Sequence, residues 1–109
     1  MALRYKVLGQ SNPAANTLTT LYTVPANTQT IISSVTVCNT SNTSGSFQLA
    51  VRVAGAAISN SSFVNYNTVV PGNDTVALTL GITMGNTDIL SCNANTSFIT
   101  FNAFGSEVT

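Results

Sequence analysis

The sequence contains no histidine and no tryptophan. Lacking histidine, it has neither the usual general base nor the usual zinc ligand, and no Ser–His or Cys–His nucleophile pair can be assembled. Lacking tryptophan, it has no strong stacking platform of the kind lectins use. Charge is almost as scarce. Arg4, Lys6, Arg52, Asp74, Asp88 and Glu107 are the whole inventory, 6% of the residues, where a globular chain usually carries about 25%. The formal net charge is zero, so nothing draws the chain to nucleic acid or to an anionic membrane surface, and neither is expected as a partner. No apolar run approaches the roughly 18–20 residues of a membrane-spanning helix. The opening MALRYKVLGQ reads as the start of a strand and not as an export signal, so the expectation is a chain made and kept in a cytosol.

The remaining polar chemistry is thin. Asp74 reads as a turn acceptor, Asp88 as a residue at a strand start and Glu107 as part of a short tail, GSEVT, so no paired-carboxylate machinery is expected. Calcium-loop spacing and a phosphate-binding glycine loop are both missing. Cys38 and Cys92 do not form a CxxC pair and cannot make a structural zinc site alone; two free, buried, inert thiols are expected, with a cross-sheet disulfide as the alternative. The sequence therefore predicts no catalytic residue, no metal and no cofactor: a protein that is not an enzyme.

Asparagine, serine and threonine are abundant, with 13, 12 and 17 copies. They create five Asn-x-Ser/Thr triplets, at Asn39, Asn42, Asn60, Asn73 and Asn95. Five is not a meaningful excess over what composition alone yields, and with no export signal the triplets have no compartment in which to be glycosylated. They mark polar turns.

Between the turn signals the chain has period two. Seven breaks, at residues 9–17, 25–27, 39–45, 55–62, 71–74, 85–86 and 93–96, leave eight candidate strands and no helix of useful length. In FQLAVRV, Phe47, Leu49, Val51 and Val53 share one face and Arg52 the other. In TVALTLGITM, Val76, Leu78, Leu80, Ile82 and Met84 are predicted to point inward from one strand, with Gly81 marking a bulge or the close approach of another backbone. TQTIISSVTVC is apolar on both faces, as a central strand or one facing a neighbouring subunit would be. Pro71 and Gly72 predict a type II turn with Gly72 at positive φ, and Gly45 is available for another positive-φ turn. The prediction is an all-β single domain over residues 1–109, one antiparallel β-sandwich of about eight strands, jelly-roll-like or immunoglobulin-like.

An uncharged β-rich surface is a liability for a free monomer and an advantage where it faces other subunits, so the chain is expected to work inside an assembly. Arg52 points away from the core and is a candidate subunit-interface residue, since arginine is enriched at interfaces. Of the aromatic residues Tyr5, Tyr22, Tyr66, Phe47, Phe63, Phe98, Phe101 and Phe104, all but one or two are expected in the core, with the Tyr66 hydroxyl reaching the rim.

The segment LYTVPANTQTIISSVTVCNTS (21–41), followed in order by FQLAVRVAGAAI, PGNDTVALTLGITM with TDIL, and FITFNAFGSE, resembles small virion structural proteins of tailed, cyanophage-like bacteriophages. The resemblance spans roughly residues 6–107 and rests on scaffold features. It implies a capsid decoration (cement) protein that stabilises the shell by bridging major capsid subunits, or a tail, neck or fibre-associated module, for which the Asn/Thr-rich loops and tyrosines could supply contacts to host glycans. It further implies a homo-oligomer, expected to be a trimer, that meets the major capsid protein or other virion proteins in a virion assembled in the host cytoplasm. It brings no catalytic residues.

Overall fold

The structure, a computed structural model, describes residues 2–109. Nine strands account for the regular structure: β1 (Leu3–Ser11), β2 (Thr19–Thr23), β3 (Gln29–Asn39), β4 (Gly45–Arg52), β5 (Phe63–Val70), β6 (Thr75–Leu78), β7 (Ile82–Met84), β8 (Ile89–Ala94) and β9 (Ile99–Val108). Two sheets form. The first has the order β1-β9-β3-β6, with β7 also pairing with β3; the second has the order β2-β8-β4-β5. Every pairing is antiparallel.

The pairs are nested: β1 with β9, β2 with β8, β3 with β6 and β7, and β4 with β5. That is one long antiparallel ribbon, closed at the β4–β5 hairpin and rolled into two layers, which is a jelly roll. In an immunoglobulin sandwich consecutive strands often pair within one sheet. Here strands β1 to β4 alternate between sheets, so that alternative falls away. The predicted count of eight is recovered when β6 and β7 are taken as one interrupted edge strand.

Alternation in FQLAVRV holds as expected for Phe47 and Leu49, which are fully buried. The inner faces of the two sheets meet at Phe47 and Phe101, whose rings pack edge-on with centroids 5.9 Å apart. Ile32, Val35, Val37, Leu90, Cys92 and Ile99 fill the space around them.

The two apolar faces of β3 resolve through a bulge. The pairing of β3 with β9 slips between Ile32 and Ser34, leaving Ser33 extra. Before the slip Thr30 and Ile32 point inward; after it Val35, Val37 and Asn39 do. The extra residue reverses the side-chain parity, so Ile31 ends up outside. Ser33 Oγ donates to the Phe104 carbonyl at 3.1 Å and fixes the slip in place.

Four local expectations need correcting. TVALTLGITM is not continuous: residues 79–81 leave the ladder, Leu80 is exposed, and Gly81 takes φ +60° in open space, with no backbone close to it. Gly72 does not carry positive φ; Asn73 does, at 56°. Gly72 is required because a Cβ there would collide with the backbone of Asn42 and Thr43. Gly45 opens β4 without positive φ, and the β3–β4 turn is built by Asn39, which is buried and donates through Nδ2 to the carbonyls of Thr43 (2.8 Å) and Val70 (3.2 Å). Finally GSEVT is no tail, because β9 continues to Val108.

Phe101→Ala removes one half of the inter-sheet aromatic contact from a fully buried site. Urea denaturation is expected to show a loss of about 3–5 kcal/mol, whereas a loss below about 1 kcal/mol would mean that the two sheets do not lean on this contact.

Candidate interaction faces

The charged residues, few as they are, are engaged within the chain. Asp74 Oδ1 accepts from its neighbour's amide, Thr75 N, at 2.8 Å, as the turn reading anticipates. Asp88 ties two segments, accepting from Ala54 N at Oδ1 (2.8 Å) and from Gly85 N at Oδ2 (2.9 Å). Arg52 donates through Nε to the Ala56 carbonyl (2.7 Å) and through Nη2 to the Gly55 carbonyl (3.0 Å). Its visible work is to hold the Val53–Ser62 excursion, which packs against β4 and β8. Among the described residues no three His, Cys, Asp or Glu side chains gather into a metal-binding group, and no helix is long and apolar enough to cross a membrane.

Both cysteines are free. Val37 points inward, so Cys38 beside it lies on the outer side of the first sheet, while Cys92 lies in the core. The two thiols belong to different layers, and the disulfide alternative is set aside. Burial pushes the Cys92 thiol up to about 11, only partly opposed by a hydrogen bond with Ser11, so it stays protonated and unreactive near neutrality.

Glu107 is the residue that sequence reasoning placed wrongly. It is buried, and Tyr22 donates its hydroxyl to Oε2 at 2.5 Å while sharing a 2.8 Å hydrogen bond with Thr30. Lys6 Nζ and Arg4 Nη2 reach Oε1 at 3.5 and 3.9 Å. The signal was in the register: Phe101, Ala103, Gly105 and Glu107 share one parity on β9. The Tyr22 hydrogen bond, then Lys6 and Arg4, hold the Glu107 carboxyl below the usual range, against the upward push of burial. Burial, reinforced by Glu107, pushes the Tyr22 phenol up to about 12.

This arrangement turns the two cations of β1 toward the inner side and leaves its outer side apolar. Leu3, Tyr5 and Val7 alternate there, exposed by 53%, 81% and 50%, and Ile31 of β3 adds a further 45%-exposed side chain. Tyr5, Val7 and Ile31, with Lys6, Ser33, Phe104, Gly105 and Ser106, line a groove of about 450 Å³ on the outer face of the first sheet. The expectation of an aromatic core therefore holds for Tyr22, Phe47 and Phe101 but not for Tyr5, Tyr66 and Phe98, which are exposed. Tyr66 packs edge-on against the half-buried Phe63 at 4.9 Å. It does not share a face with Val70, which is buried, because Asn67 between them takes φ +51° and breaks the alternation.

The second sheet carries amides at its centre, while its edge strand β5 exposes Val64, Tyr66 and Val69. Gln48 and Asn93 sit opposite each other in the β4–β8 register, and with Asn16, Ser46, Asn67 and Asn95 they surround a small cleft.

For Glu107→Gln, the depressed carboxyl pKa fixes the sign. Its stabilisation is complete above the unfolded value near 4.3 and fades as pH falls through the lower folded value. The variant is expected to be less stable than wild type by about 1–3 kcal/mol at neutral pH. Urea denaturation across pH should show that difference shrinking in acid; a pH-independent difference would contradict the ionised role. The raised Tyr22 pKa works the other way, its stabilisation being lost between about 10 and about 12 as pH rises. No protein-family model matches the chain and no curated protein shows significant similarity to it, so a functional reading has to start from these two outer faces.

Proposed function

We propose that this chain is a non-enzymatic structural protein of a phage virion, and that it acts as a capsid decoration (cement) protein bridging major capsid subunits. The observation that carries the proposal is the apolar outer face of the β1-β9-β3 layer. Contiguous exposed apolar surface on a small domain marks a binding surface, and this one includes Tyr5 and Phe104, the residue types enriched where proteins meet. In support, Arg4 and Lys6 of β1 are drawn toward Glu107, so that Leu3, Tyr5 and Val7 occupy the other side of the strand. A homo-oligomer seated on the shell, with a trimer the expected state, would cover such a face. The mechanism is mechanical: area buried across adjacent capsid subunits opposes the outward pressure of packaged DNA. Arg52 stays a candidate interface residue outside this face, with two local hydrogen bonds that fix its position.

Quantitative mass spectrometry of purified virions tests the location. Copies in the hundreds are the expected outcome; a handful per particle would sink the capsid role and favour a tail, neck or fibre position. The face itself is tested by the double substitution Tyr5→Asp and Ile31→Asp. Both side chains are exposed, so thermal stability should change by no more than about 0.5 kcal/mol per site. Co-sedimentation with undecorated capsids should fall at least tenfold, and undiminished co-sedimentation would reject the face.

A further inference from the structure

We infer that the free edge of β1 receives an extended, carboxylate-bearing segment of a partner protein as an added antiparallel strand. The partner's identity, the capsid subunit, rests on the reading given above; the edge itself supplies the chemistry of the contact.

β1 is the outermost strand of the first sheet and is bonded on one side only, to β9. Ala2 and Thr109 exchange both of their backbone hydrogen bonds, at 3.0 and 2.9 Å. Such two-bond pairs alternate along an antiparallel ladder, so the next ones in the register are Arg4 with Glu107 and Lys6 with Gly105. The amides and carbonyls of Leu3, Tyr5 and Val7 therefore point away from β9, a row of donors and acceptors along an open edge. The register shifts at Leu8, where the row ends, and a Cβ on Gly9 would strike the Leu21 carbonyl of β2. From Leu3 to Val7 the edge runs about 17 Å, the length of a short strand.

Different side chains flank the two sides of that row. Leu3, Tyr5 and Val7 lie on the outer side, apolar and half-exposed or more. On the inner side the Arg4 and Lys6 side chains remain 62% and 48% exposed and reach for the same oxygen, Glu107 Oε1, at 3.9 and 3.5 Å. The other oxygen, Oε2, is held by Tyr22. One carboxylate answers two cations, and among the described residues no other ion pair reaches either of them.

This surplus of positive charge selects the occupant. Antiparallel pairing of two β1 edges about Tyr5 would set Arg4 opposite Lys6 of the second copy, and like charges directly opposite each other are destabilising. The cations that guard the edge against its own kind are complementary to carboxylates. A segment alternating apolar and acidic residues fits both sides. Its apolar side chains continue the row of Leu3, Tyr5 and Val7, and its carboxylates fall beside Arg4 and Lys6, with Cβ atoms roughly 5 Å apart. Its backbone meets the free amides and carbonyls.

The test uses the ¹⁵N-labelled full chain and the peptide Thr-Glu-Val-Glu-Val-Glu-Thr, with backbone hydrogen exchange read by NMR. Saturable binding is expected, slowing exchange at the Leu3, Tyr5 and Val7 amides by about tenfold or more while the Arg4 and Lys6 amides, already bonded to β9, stay as they were. The same peptide with lysine for glutamate should bind about fivefold more weakly, and Arg4→Gln should weaken the glutamate peptide about threefold. N-methylation of the valines, which keeps every side chain but removes the donors, should abolish binding. The inference is overturned if the glutamate peptide does not saturate, if the lysine peptide binds equally well, or if the Leu3, Tyr5 and Val7 amides exchange as in the free chain. The same exchange measurement on undecorated capsids separates the added strand from the seated face. Capsid binding that Tyr5→Asp with Ile31→Asp abolishes, but that leaves those amides unprotected, overturns the strand and keeps the face. Failure to bind capsids at all rejects the face, and the peptide result then decides the edge.

Discussion

Much of the molecule depends on how β9 is held between β1 and β3. Next to Phe104, each flanking strand carries one residue too many: Leu8 in β1 and Ser33 in β3. These paired bulges set which side chains enter the core. They let β9 keep a single parity from Ile99 to Glu107 while its neighbours change theirs. Ile32 and Val35 can then both be buried, and Ile31 is turned out beside Tyr5 and Val7. A flat, unbulged sheet would place Ile31 on the same side as Val35 and erase part of the apolar outer face. The surface proposed to dock is thus a consequence of register.

The same register brings Glu107 under Tyr22. A carboxylate in a buried position is tolerated only when paired and hydrogen-bonded, and here the phenol, two cations and a hydroxyl network supply that. Lys6 and Arg4 remain half-exposed or more, so their attraction is screened and the Tyr22 hydrogen bond dominates. The structural effect is to take the cations of β1 off its outer side. One side of β1 becomes apolar, while the second sheet keeps amides at its centre and exposes Val64, Tyr66 and Val69 along its β5 edge.

Local alternation was legible in the sequence, and so was the absence of any α-helix among the described residues. FQLAVRV reads correctly at Phe47 and Leu49, where β4 is paired on both sides and its inner face meets the core, but not at Ala50, which is buried, or at Val53, which lies beyond the strand and is exposed. TVALTLGITM reads wrongly at Leu80 because an edge strand has only one partner to keep it regular, and Gly81 permits the break. Ile31 was left undecided on a strand apolar on both faces, and Glu107 was misplaced, for opposite reasons. A bulge cannot be seen in a pattern of apolar residues, whereas Glu107 was in plain register and was discounted for lying near the chain end. Arg52 looked free because its acceptors, the carbonyls of Gly55 and Ala56, exist only once the excursion has folded. The amide cleft depends on pairing Gln48 with Asn93, 45 residues apart, which no local pattern announces.

The central claim is that the β1-β9-β3 layer is the seated face. An electron-microscopic reconstruction of particles carrying this chain tests it most directly. The account predicts density of a neighbouring subunit against Tyr5, Val7, Ile31 and Phe104, with the Gln48–Asn93 cleft turned to solvent. Particles in which the apolar face is open to solvent and the second sheet is the one in contact would contradict it.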